Sequence, residues 1–471
     1  MRKTKIICTL GPSVGDEGMI KKLVLNGMNA ARFNFSHGTH ESHLRMLETL
    51  KSVREELNAP VATILDTKGP EIRIKSFKNG SVELKPGARF TLTVDDVAGD
   101  ETRVSVTYKN LHREIKKGER ILLDDGLIEL RVIDISDNDI VCIVQNGGVI
   151  SDNKGINTPD TDENLPSLTE KDIEDIRFGI ENDFDFIAAS FIRTASDVNE
   201  IRKVLRKYGG EDIGIISKIE NRRGVENIES IIEASDAIMV ARGDLGVEIP
   251  VQEVPIIQKR IIRKCRNLGV PVIIATQMLD SMIRNPRPTR AEASDVANAV
   301  FDGASTLMLS GETASGKYPL ESLITMSDIA LTTEKEIDYW QQFRKIEDIK
   351  EKTIVNAISR ACCATAMGLG AKTIITVTKS GHTARMISRF RPQCPIAAVT
   401  SNPKVRRKLS ISWGIKTELA EEKTSTDELF KTGVEKAVKM KLAEKGDIVV
   451  ISAGVPVGMS GTTNIVKAQI V

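Results

Sequence analysis

The sequence lacks a net charge of either sign, since 66 Lys and Arg residues are balanced by 65 Asp and Glu residues. Without a net field, the whole molecule is not expected to be drawn to nucleic acid or to a membrane surface. It also lacks any apolar run near the ~20 residues that a membrane helix needs. The first residues, MRKTKIICTL, hold too few apolar side chains for a signal-peptide core. These absences predict a cytoplasmic protein that binds neither nucleic acid nor membrane, and any anion site must be local.

Cysteine is scarce and irregularly spaced. The six cysteines lie at positions 8, 142, 265, 362, 363 and 394 and form no Cys-x-x-Cys pair. This spacing argues against a disulfide framework and predicts reduced, mostly buried thiols. Hydrophobic residues make up 41% of the chain and charged residues 28%, so we expect a globular protein with a sizeable core and two to four domains.

Eight short apolar runs, most of them followed by an amphipathic helical stretch, organise the first 340 residues. They begin near Lys5, Asn29, Val61, Phe184, Ile213, Ala237, Pro271 and Ser305. Continuous apolar runs of this length are typical of parallel strands that are buried on both faces. Thr194 and Asp197 have the spacing of a capping box at the start of one intervening helix. Eight strand–helix units predict a (β/α)8 barrel.

The pattern changes between residues 72 and 168, where alternating residues and turn pairs such as Asp125-Gly126 replace helical periodicity. This segment follows the third barrel strand, at the end of the barrel where active-site loops lie. We therefore predict a small β-barrel lid domain over 72–168, inserted into a catalytic barrel formed by 1–71 and 169–345. Such a domain could close over a substrate.

Alternating strands and helices resume after residue 346. The five predicted strands lie near 372–378, 395–399, 415–419, 447–453 and 464–470. Five strands cannot close a second barrel of this kind. The sequence therefore predicts an open α/β sheet as a C-terminal domain over 346–471.

Charged and hydroxyl-bearing residues follow the barrel runs at the points where the strands end, and these ends meet on one rim. Lys218 and Glu220 are two residues apart on a strand, so both side chains point to the same side. Glu220 and Asp244 offer the hard oxygen ligands that a divalent cation prefers. Lys218, with Arg32 and Arg73, supplies positive charge suited to a transferring phosphoryl group. The rim therefore indicates phosphoryl-transfer chemistry.

Seven motifs carry a resemblance to the pyruvate kinase family, in the order found in that family. They are ARFNFSHG (31–38), LDTKGPEIR (65–73), ISKIEN (216–221), MVARGDLGVEIP (239–250), ATQMLDSM (275–282), NPRPTRAEASDVANAV (285–300) and MLSGETASGKYP (308–319). The resemblance covers the entire chain and its three-domain plan. It implies transfer of the phosphoryl group of phosphoenolpyruvate to ADP, giving pyruvate and ATP in the last step of glycolysis, by a homotetramer.

The resemblance also implies a role for individual residues. Lys218 is expected to stabilise the transferring phosphoryl group, while Glu220 and Asp244 bind Mg²⁺ or Mn²⁺. Thr276 and Ser310 are candidates to relay a proton to the enolate carbon. The phosphoenolpyruvate contacts are expected to be Arg32, Gly243, Asp244 and Thr276, the K⁺ ligands Asn34, Ser36, Asp66 and Thr67, and the nucleotide contacts Asn34, Phe35, Ser36, His37, Arg73 and Lys154.

A loop in the last domain is a candidate regulatory site. Its hydroxyls, glycine and free amides suit a phosphate cradle, and they suit an ordinary helix cap equally well. In the resembling family this loop and the segment 454–463 bind a phosphorylated allosteric effector. The resemblance thus implies an effector site made of Thr378, Lys379, Ser380, Gly381, His382 and Thr383.

Two other functions fit parts of this pattern. One is a catalytically silent sensor of sugar phosphates, against which the intact set of Lys218, Glu220 and Asp244 argues. The other is a lyase or mutase that acts on phosphoenolpyruvate without nucleotide, in which Lys154 on the lid would have no role. Dependence of the reaction on ADP discriminates among the three.

Three evenly spaced histidines could indicate a metal site. His37, His40 and His43 are spaced by three residues but have no cysteine or further ligand beside them. We therefore expect solvated histidines near the start of a helix rather than a zinc site.

Overall fold

The computed structural model describes residues 1–161, 164–346, 353–456 and 463–471. Eight parallel strands form a closed barrel in which each strand pairs with its neighbours in the chain and the eighth pairs with the first. We call them barrel strands 1 to 8, and they are Lys5–Thr9, Ala30–Asn34, Ala62–Asp66, Phe186–Ala189, Gly214–Ile219, Ala237–Ala241, Val272–Ala275 and Thr306–Leu309. The predicted (β/α)8 barrel is confirmed, because the apolar runs are buried on both faces.

Helices surround this barrel and bury their apolar faces against it. The predicted capping box at Thr194 is confirmed, since its hydroxyl accepts the amide of Asp197 and the Asp197 carboxylate accepts the amide of Thr194. The α-helices are Glu17–Leu25, His40–Glu56, Glu170–Glu181, Ala195–Lys207, Arg222–Glu226, Ile228–Ala234, Arg242–Glu248, Val254–Leu268, Arg290–Asp302, Gly311–Ala314 and Pro319–Lys335, with 3-10 turns at Pro12–Val14, Val251–Glu253 and Asp280–Ile283.

The segment after barrel strand 3 forms a separate β structure, which we call the lid. Its main sheet is a strongly curved half-barrel of seven strands. An isolated β-bridge between Ile74 and Val106 lies next to its two edge strands. The seven strands are, in spatial order, Ile72–Arg73, Gly155–Asn157, Arg120–Leu123, Ile128–Ile135, Asp139–Val144, Arg89–Thr93 and Arg103–Ser105. Ser81–Leu84 and Gly148–Ser151 form an additional ribbon, and Leu111–Glu114 is a short helix. The lid has its own apolar core.

The last part of the chain contains an open five-stranded sheet. In spatial order its strands are Ile415–Leu419, Ile396–Thr400, Thr373–Val377, Ile448–Gly454 and Thr463–Ile470, of which only the last runs antiparallel. The accompanying helices are Tyr339–Arg344, Ile354–Gly368, His382–Ser388, Pro403–Lys408 and Thr426–Lys439, with a 3-10 turn at Leu409–Ile411. The predicted open α/β domain is confirmed.

The amino ends of the barrel strands rest on this C-terminal domain. The Thr306 hydroxyl donates to the Ile411 carbonyl at 2.8 Å, and the Ile411 side chain belongs to the core inside the barrel. Arg407 pairs with Asp185 at 2.7 Å across the same boundary. The opposite, carboxyl end of the barrel is thereby left open toward the lid. No helix in the described ranges has both the length and the apolarity that crossing a bilayer requires.

Candidate active site

Lys218 lies at the centre of the rim formed by the carboxyl ends of the barrel strands. Its Nζ is 3.1 Å from Asp66 Oδ1 and 3.0 Å from Glu220 Oε1, and it donates to Ser190 Oγ at 2.7 Å. The side chain is buried. Burial alone would lower the pKa of Lys218, but attraction to Asp66 and Glu220 more than offsets it and raises the pKa. The ammonium group is therefore charged at all working pH values.

Asp66 connects Lys218 to Arg32. Its Oδ2 accepts a hydrogen bond from Arg32 Nε at 2.6 Å, and the carboxylate is 1% exposed. Burial acts to raise the pKa of Asp66, but the two cations prevail and the pKa is lowered. The contact follows from the fold, because barrel strands 2 and 3 are paired and both residues lie near the ends of those strands. Asp66 therefore holds the guanidinium of Arg32 and the ammonium group of Lys218 on its two carboxylate oxygens.

The side chains of Glu220 and Lys218 point to the same side and meet, as their two-residue spacing predicted. Glu220 Oε2 accepts a hydrogen bond from the amide of Phe191 at 2.6 Å, and Phe191 has a positive φ of 56°. Burial, together with the nearby Asp244, raises the pKa of Glu220 to about 7 despite the attraction of Lys218. A divalent cation at this point would favour the ionised carboxylate, so Glu220 and Asp244 fit a metal that prefers oxygen ligands.

These side chains open into a cavity of about 590 Å³. Most of the predicted rim residues meet there, although they come from distant parts of the chain. We call it the catalytic cavity, and it is lined by Arg32, Asn34, Ser36, His37, Lys68, Glu71, Arg73, Asn153, Ser190, Phe191, Lys218, Glu220 and Asp244. Its volume suits a small phosphorylated acid together with part of a larger ligand.

Thr276 and Gly243 face one another beside this cavity. Thr276 has a positive φ of 70°, a strained conformation for a β-branched residue, and its hydroxyl oxygen accepts the amide of Gly243 at 2.8 Å. The same hydroxyl donates to the Ala275 carbonyl at 2.6 Å. The Gly243 amide and the Thr276 hydroxyl therefore hold each other, and neither residue lines the catalytic cavity.

Ser310 differs from Thr276 in its surroundings. Its hydroxyl is buried and has no hydrogen-bond partner within the described ranges. The residue lines a second cavity of about 810 Å³, which shares Arg32, Asn34 and His37 with the catalytic cavity. This second, more apolar cavity extends along Pro12 and we call it the side cavity. Ser310 thus has an unused donor and acceptor next to the catalytic centre.

The nucleotide residues predicted around Asn34 do not all face a cavity. Asn34, Ser36 and His37 line the catalytic cavity. Phe35 does not, because its ring is 2% exposed and stacks on His43 at a centroid distance of 4.2 Å within an aromatic cluster. Any contact from Phe35 to a ligand would have to be made by its backbone.

The prediction of solvated histidines is wrong for His43. The ring is buried, its Nε2 lies 2.9 Å from the His37 carbonyl, and burial lowers its pKa. His40 forms an ion pair or hydrogen bond with Asp175 at 2.6 Å. The three-residue spacing therefore reflects packing against Phe35 at the helix start.

Lys154 and Arg73 belong to the gap between the lid and the barrel. Lys154 pairs with Asp124 at 2.9 Å, and Arg73 donates to Glu71 at 2.7 Å. Both arginine and lysine line a cavity of about 600 Å³ that reaches Asp244 on the barrel. Arg73 also lines the catalytic cavity, so the two cavities adjoin.

Two of the four predicted K⁺ ligands lie below the cavity surface. Asp66 and Thr67 are buried, and the Thr67 hydroxyl accepts the Ser190 amide at 3.3 Å. Asn34 and Ser36 line the cavity itself, and the Asn34 side-chain oxygen accepts the Ser36 amide at 3.2 Å. The set offers oxygen ligands only, as a monovalent cation requires, but both carboxylate oxygens of Asp66 already bind cationic side chains.

The candidate effector loop is a compact turn. The Thr378 hydroxyl accepts the amide of Gly381, whose φ of 79° turns the chain into the helix His382–Ser388. The hydroxyls of Thr383 and Thr463 lie 2.6 Å apart. Lys379 is exposed and pairs with Glu422 at 3.3 Å. Of the predicted partner segment 454–463, residues 457–462 lie outside the described ranges.

His382 in this loop is neutral near pH 7. Burial and the neighbouring Arg385 and Arg389 lower the pKa of its ring. The ring therefore adds no positive charge to the loop near neutral pH. Arg385 lines a cleft against the barrel.

Several residues of the catalytic cavity, among them Ser190, Lys68 and Asn153, were not assigned a role from the sequence. Ser190 ends barrel strand 4 and Lys68 lies within a recognised motif, so their positions alone could have indicated them. Asn153, next to Lys154 on the lid, has no comparable signal. Its carbonyl accepts Arg73 Nη1 at 2.6 Å, a contact that only the fold reveals.

Comparison with known proteins agrees with this geometry. A family model described as the pyruvate kinase barrel domain matches residues 1–323, and one described as the pyruvate kinase alpha/beta domain matches 356–469. A pyruvate kinase of Clostridium acetobutylicum is 50% identical over the full length of both chains. One from Geobacillus stearothermophilus is 50% identical over the whole of this chain and 80% of its own. A crystal structure of a Cryptosporidium parvum pyruvate kinase superposes with a TM-score of 0.95 at 40% identity, covering 100% of this chain and 96% of that one.

Proposed function

The chain belongs to the pyruvate kinase family and transfers the phosphoryl group of phosphoenolpyruvate to ADP, and we propose that Lys218 is the residue on which this transfer chiefly depends. The observation that carries the proposal is the position of its ammonium group between Asp66 and Glu220, at the wall of the catalytic cavity. A fixed cation there stabilises the charge that builds up on the equatorial phosphoryl oxygens.

Members of this family use divalent and monovalent cations, and we assign the Mg²⁺ or Mn²⁺ site to Glu220 and Asp244. The raised pKa of Glu220 and its place beside Asp244 support this assignment. When bound, the divalent cation would neutralise phosphate charge during transfer. Lys218 and Arg32, which both pair with Asp66, would add their positive charges to that of the metal ion around the substrate oxygens.

Asn34, Ser36, Asp66 and Thr67 are assigned to K⁺. The support is their shared oxygen chemistry and the position of the first two on the cavity wall. Because Asp66 is engaged by Arg32 and Lys218, K⁺ would bind on the side of Asn34 and Ser36. A K⁺ ion bound there would add positive charge to the cavity without a further basic side chain.

For phosphoenolpyruvate we assign Arg32 to the phosphate, and Gly243, Asp244 and Thr276 to the carboxylate side. Arg32 reaches the cavity with its guanidinium fixed by Asp66 and by Thr9 at 3.2 Å. The amides at the start of the helix Arg242–Glu248 are suited to an anion. The Gly243 amide would exchange its bond to Thr276 for one to substrate.

ADP and ATP are assigned to the path that runs from the lid to the side cavity. Arg73 and Lys154 would contact phosphates from the lid, while Asn34, Ser36 and His37 line the route between the two cavities. The apolar wall near Pro12 suits a base, and the Phe35 backbone is the part of that residue within reach. Closure of the lid would bring Lys154 toward the catalytic cavity.

Protonation of the enolate carbon is assigned to Ser310 and Thr276, with Ser310 favoured. The hydroxyl of Thr276 already accepts one hydrogen bond and donates another. That of Ser310 has no partner in the described part of the chain, so it can pass a proton through water. The proton would move from solvent through the side cavity to the product.

We propose further that the loop Thr378–Thr383 binds a phosphorylated effector and that the protein is a homotetramer. The exposed Lys379 and the position of the loop at the start of the helix His382–Ser388 support the first proposal. Exposed apolar side chains support the second, because contact with another subunit would bury them. They include Val251 in a 3-10 turn, Ile256 in the helix Val254–Leu268 and Ile354 in another helix.

A coupled assay tests the proposed function. Pyruvate and ATP are measured together from phosphoenolpyruvate and Mg²⁺, with and without ADP, for the wild type and for Lys218→Met. We expect equal amounts of both products, only with ADP, and almost none from the variant. Pyruvate without ADP would indicate a nucleotide-independent enzyme, and no product would indicate a silent sensor.

A further inference from the structure

A narrow cleft lies where the barrel meets the C-terminal domain, far from the catalytic rim. The barrel contributes Arg266, at the end of the helix Val254–Leu268, and Ser305, just before barrel strand 8. The C-terminal domain contributes Arg385, Arg389, Arg391 and Ser412. Four arginines and the hydroxyl groups of Ser305, Ser388 and Ser412 thus converge from two domains.

The cleft carries several positive charges. None of the described residues that line it is Asp or Glu. Within the part of the chain that the structure describes, no carboxylate lies within ion-pair distance of Arg266, Arg385 or Arg391. Other arginines at this boundary are paired, as Arg407 is with Asp185. A buried guanidinium group without an anion is costly, so the side of the cleft formed by Arg391 calls for a counter-charge.

Two of the arginines converge on one point. Arg391 is 4% exposed, and its Nη2 donates to the Gly303 carbonyl at 2.8 Å and to Ser305 Oγ at 3.1 Å. The Arg266 guanidinium lies against the same glycine, 3.7 Å from where a Cβ of residue 303 would stand. The Nε atoms of Arg266 and Arg391 are buried and have no hydrogen-bond partner among the described residues.

A buried hydroxyl gives a second and independent indication. Ser412 lines the cleft, is 2% exposed, and its Oγ has no hydrogen-bond partner in the described ranges. A hydroxyl left without a partner in a protein interior normally indicates a missing ligand or water. Beside guanidinium donors, the ligand that satisfies both is an acceptor with negative charge.

We propose that this cleft is an anion site that joins the barrel to the C-terminal domain. The cavity itself is about 10 Å³, room for one water-sized group, and one side is open. The occupant is therefore a halide such as chloride, or one oxygen of a phosphoryl group that enters from the surface. The site is independent of the proposed catalytic roles.

The charge states of the arginines agree with this assignment. Burial, followed by repulsion from Arg266, lowers the pKa of Arg391 to about 9. Burial, followed by repulsion from Arg263, lowers the pKa of Arg266. An anion between them would reverse both effects and stabilise the contact between the domains.

Thermal unfolding at constant ionic strength and constant cation tests the site, with chloride or inorganic phosphate replacing bulky gluconate. For the wild type we expect the unfolding midpoint to rise by ~1–3 °C for each tenfold increase in the anion above its dissociation constant. Arg266→Ala should abolish this rise and Ser412→Ala should reduce it. Arg263→Ala, which removes an exposed charge from the same helix, should retain it.

The signal is the difference between variants, because the catalytic cavity can also attract phosphate. Crystals soaked in sodium bromide provide a second readout, with an anomalous peak expected beside Arg391 Nε and Ser412 Oγ. A response to either anion that Arg266→Ala removes would support the site. An equal response of wild type and Arg266→Ala to both anions would overturn it. So would a cleft that holds neither bromide nor phosphate after soaking.

Discussion

Two buried lysines lie at opposite ends of the barrel and have opposite charge properties. Lys218, at the carboxyl end, is flanked by Asp66 and Glu220, which raise its pKa. Lys5, at the amino end, donates to the Ile415 carbonyl at 2.5 Å. Burial and the neighbouring Arg2 lower its pKa to about 7, against which the attraction of Glu334 is insufficient.

The comparison shows that a nearby carboxylate, rather than burial, decides whether a buried lysine keeps its charge. At the carboxyl end, charges are paired and positioned around a cavity, so they are available for chemistry. At the amino end, basic side chains such as Lys5 and Arg391 donate to backbone carbonyl groups across the domain boundary and hold two domains together. The barrel therefore separates catalysis from domain attachment along its axis.

The largest expected effect comes from removing each lysine in turn. Lys218→Met should reduce kcat by ~10²–10³ or more, because it deletes a preorganised charge at the transferring phosphoryl group. Lys5→Met serves as the matched control and should retain kcat within a few-fold. Steady-state kinetics with circular dichroism would measure both. Near-normal turnover by Lys218→Met would contradict the role assigned to the charge of Lys218.

The next effect concerns the monovalent cation at the carboxyl end. Activity should fall at least ~10-fold when K⁺ is replaced by a bulky organic cation, since a positive charge near Asn34 and Ser36 would be lost. Glu71→Lys places a positively charged side chain in the wall of the catalytic cavity and should lessen the requirement for K⁺. Rates in matched potassium and tetramethylammonium buffers measure this. Full activity of the wild type without K⁺ would contradict it.

A third effect links the two ends through the candidate effector loop. Gly381 packs against Leu409, next to the helix that carries Arg407, and Arg407 pairs with Asp185. Asp185 in turn accepts the amide of Thr63 at 2.9 Å, three residues before Asp66 on barrel strand 3. These contacts form a continuous route from the loop to the catalytic rim.

A phosphorylated effector should therefore lower the KM for phosphoenolpyruvate by ~5–150-fold, the range of ordinary coupling free energies. Fructose 1,6-bisphosphate, ribose 5-phosphate and AMP are titrated against wild type and a Ser380→Asp, Thr383→Asp double variant. Activation that survives in the double variant would place the effector elsewhere. No response to any of the three would leave the loop as an ordinary helix cap.

The smallest effect concerns stability at the amino end. Between pH 7 and about 10.5, unfolded Lys5 binds a proton that the folded residue has lost, so this group makes the folded state more stable as pH rises. Relative to wild type, Lys5→Met should therefore lose stability with pH, by at most ~1.4 kcal/mol per pH unit. Denaturant unfolding from pH 7 to 10 measures the trend. The exposed Lys372→Met is the control variant.

Much of the fold was predictable because the apolar runs are continuous and regularly spaced. Lys218 and Glu220 were paired correctly, since strand periodicity alone places both on one side. The burial of Phe35 was not predictable, because its partners His43 and Phe178 come from two different helices. Nor was the cluster of Arg266 and Arg391, whose residues are far apart in sequence and meet only at a domain boundary.

The most direct test of this account is an NMR titration of the lysine side chains, followed through the ¹³Cε and ¹⁵Nζ shifts and assigned with Lys218→Met and Lys5→Met. We predict that Lys218 remains protonated beyond the ordinary lysine value of 10.5 and that Lys5 loses its proton near pH 7. Loss of the Lys218 proton near neutral pH, or titration of both lysines together near 10.5, would contradict the account.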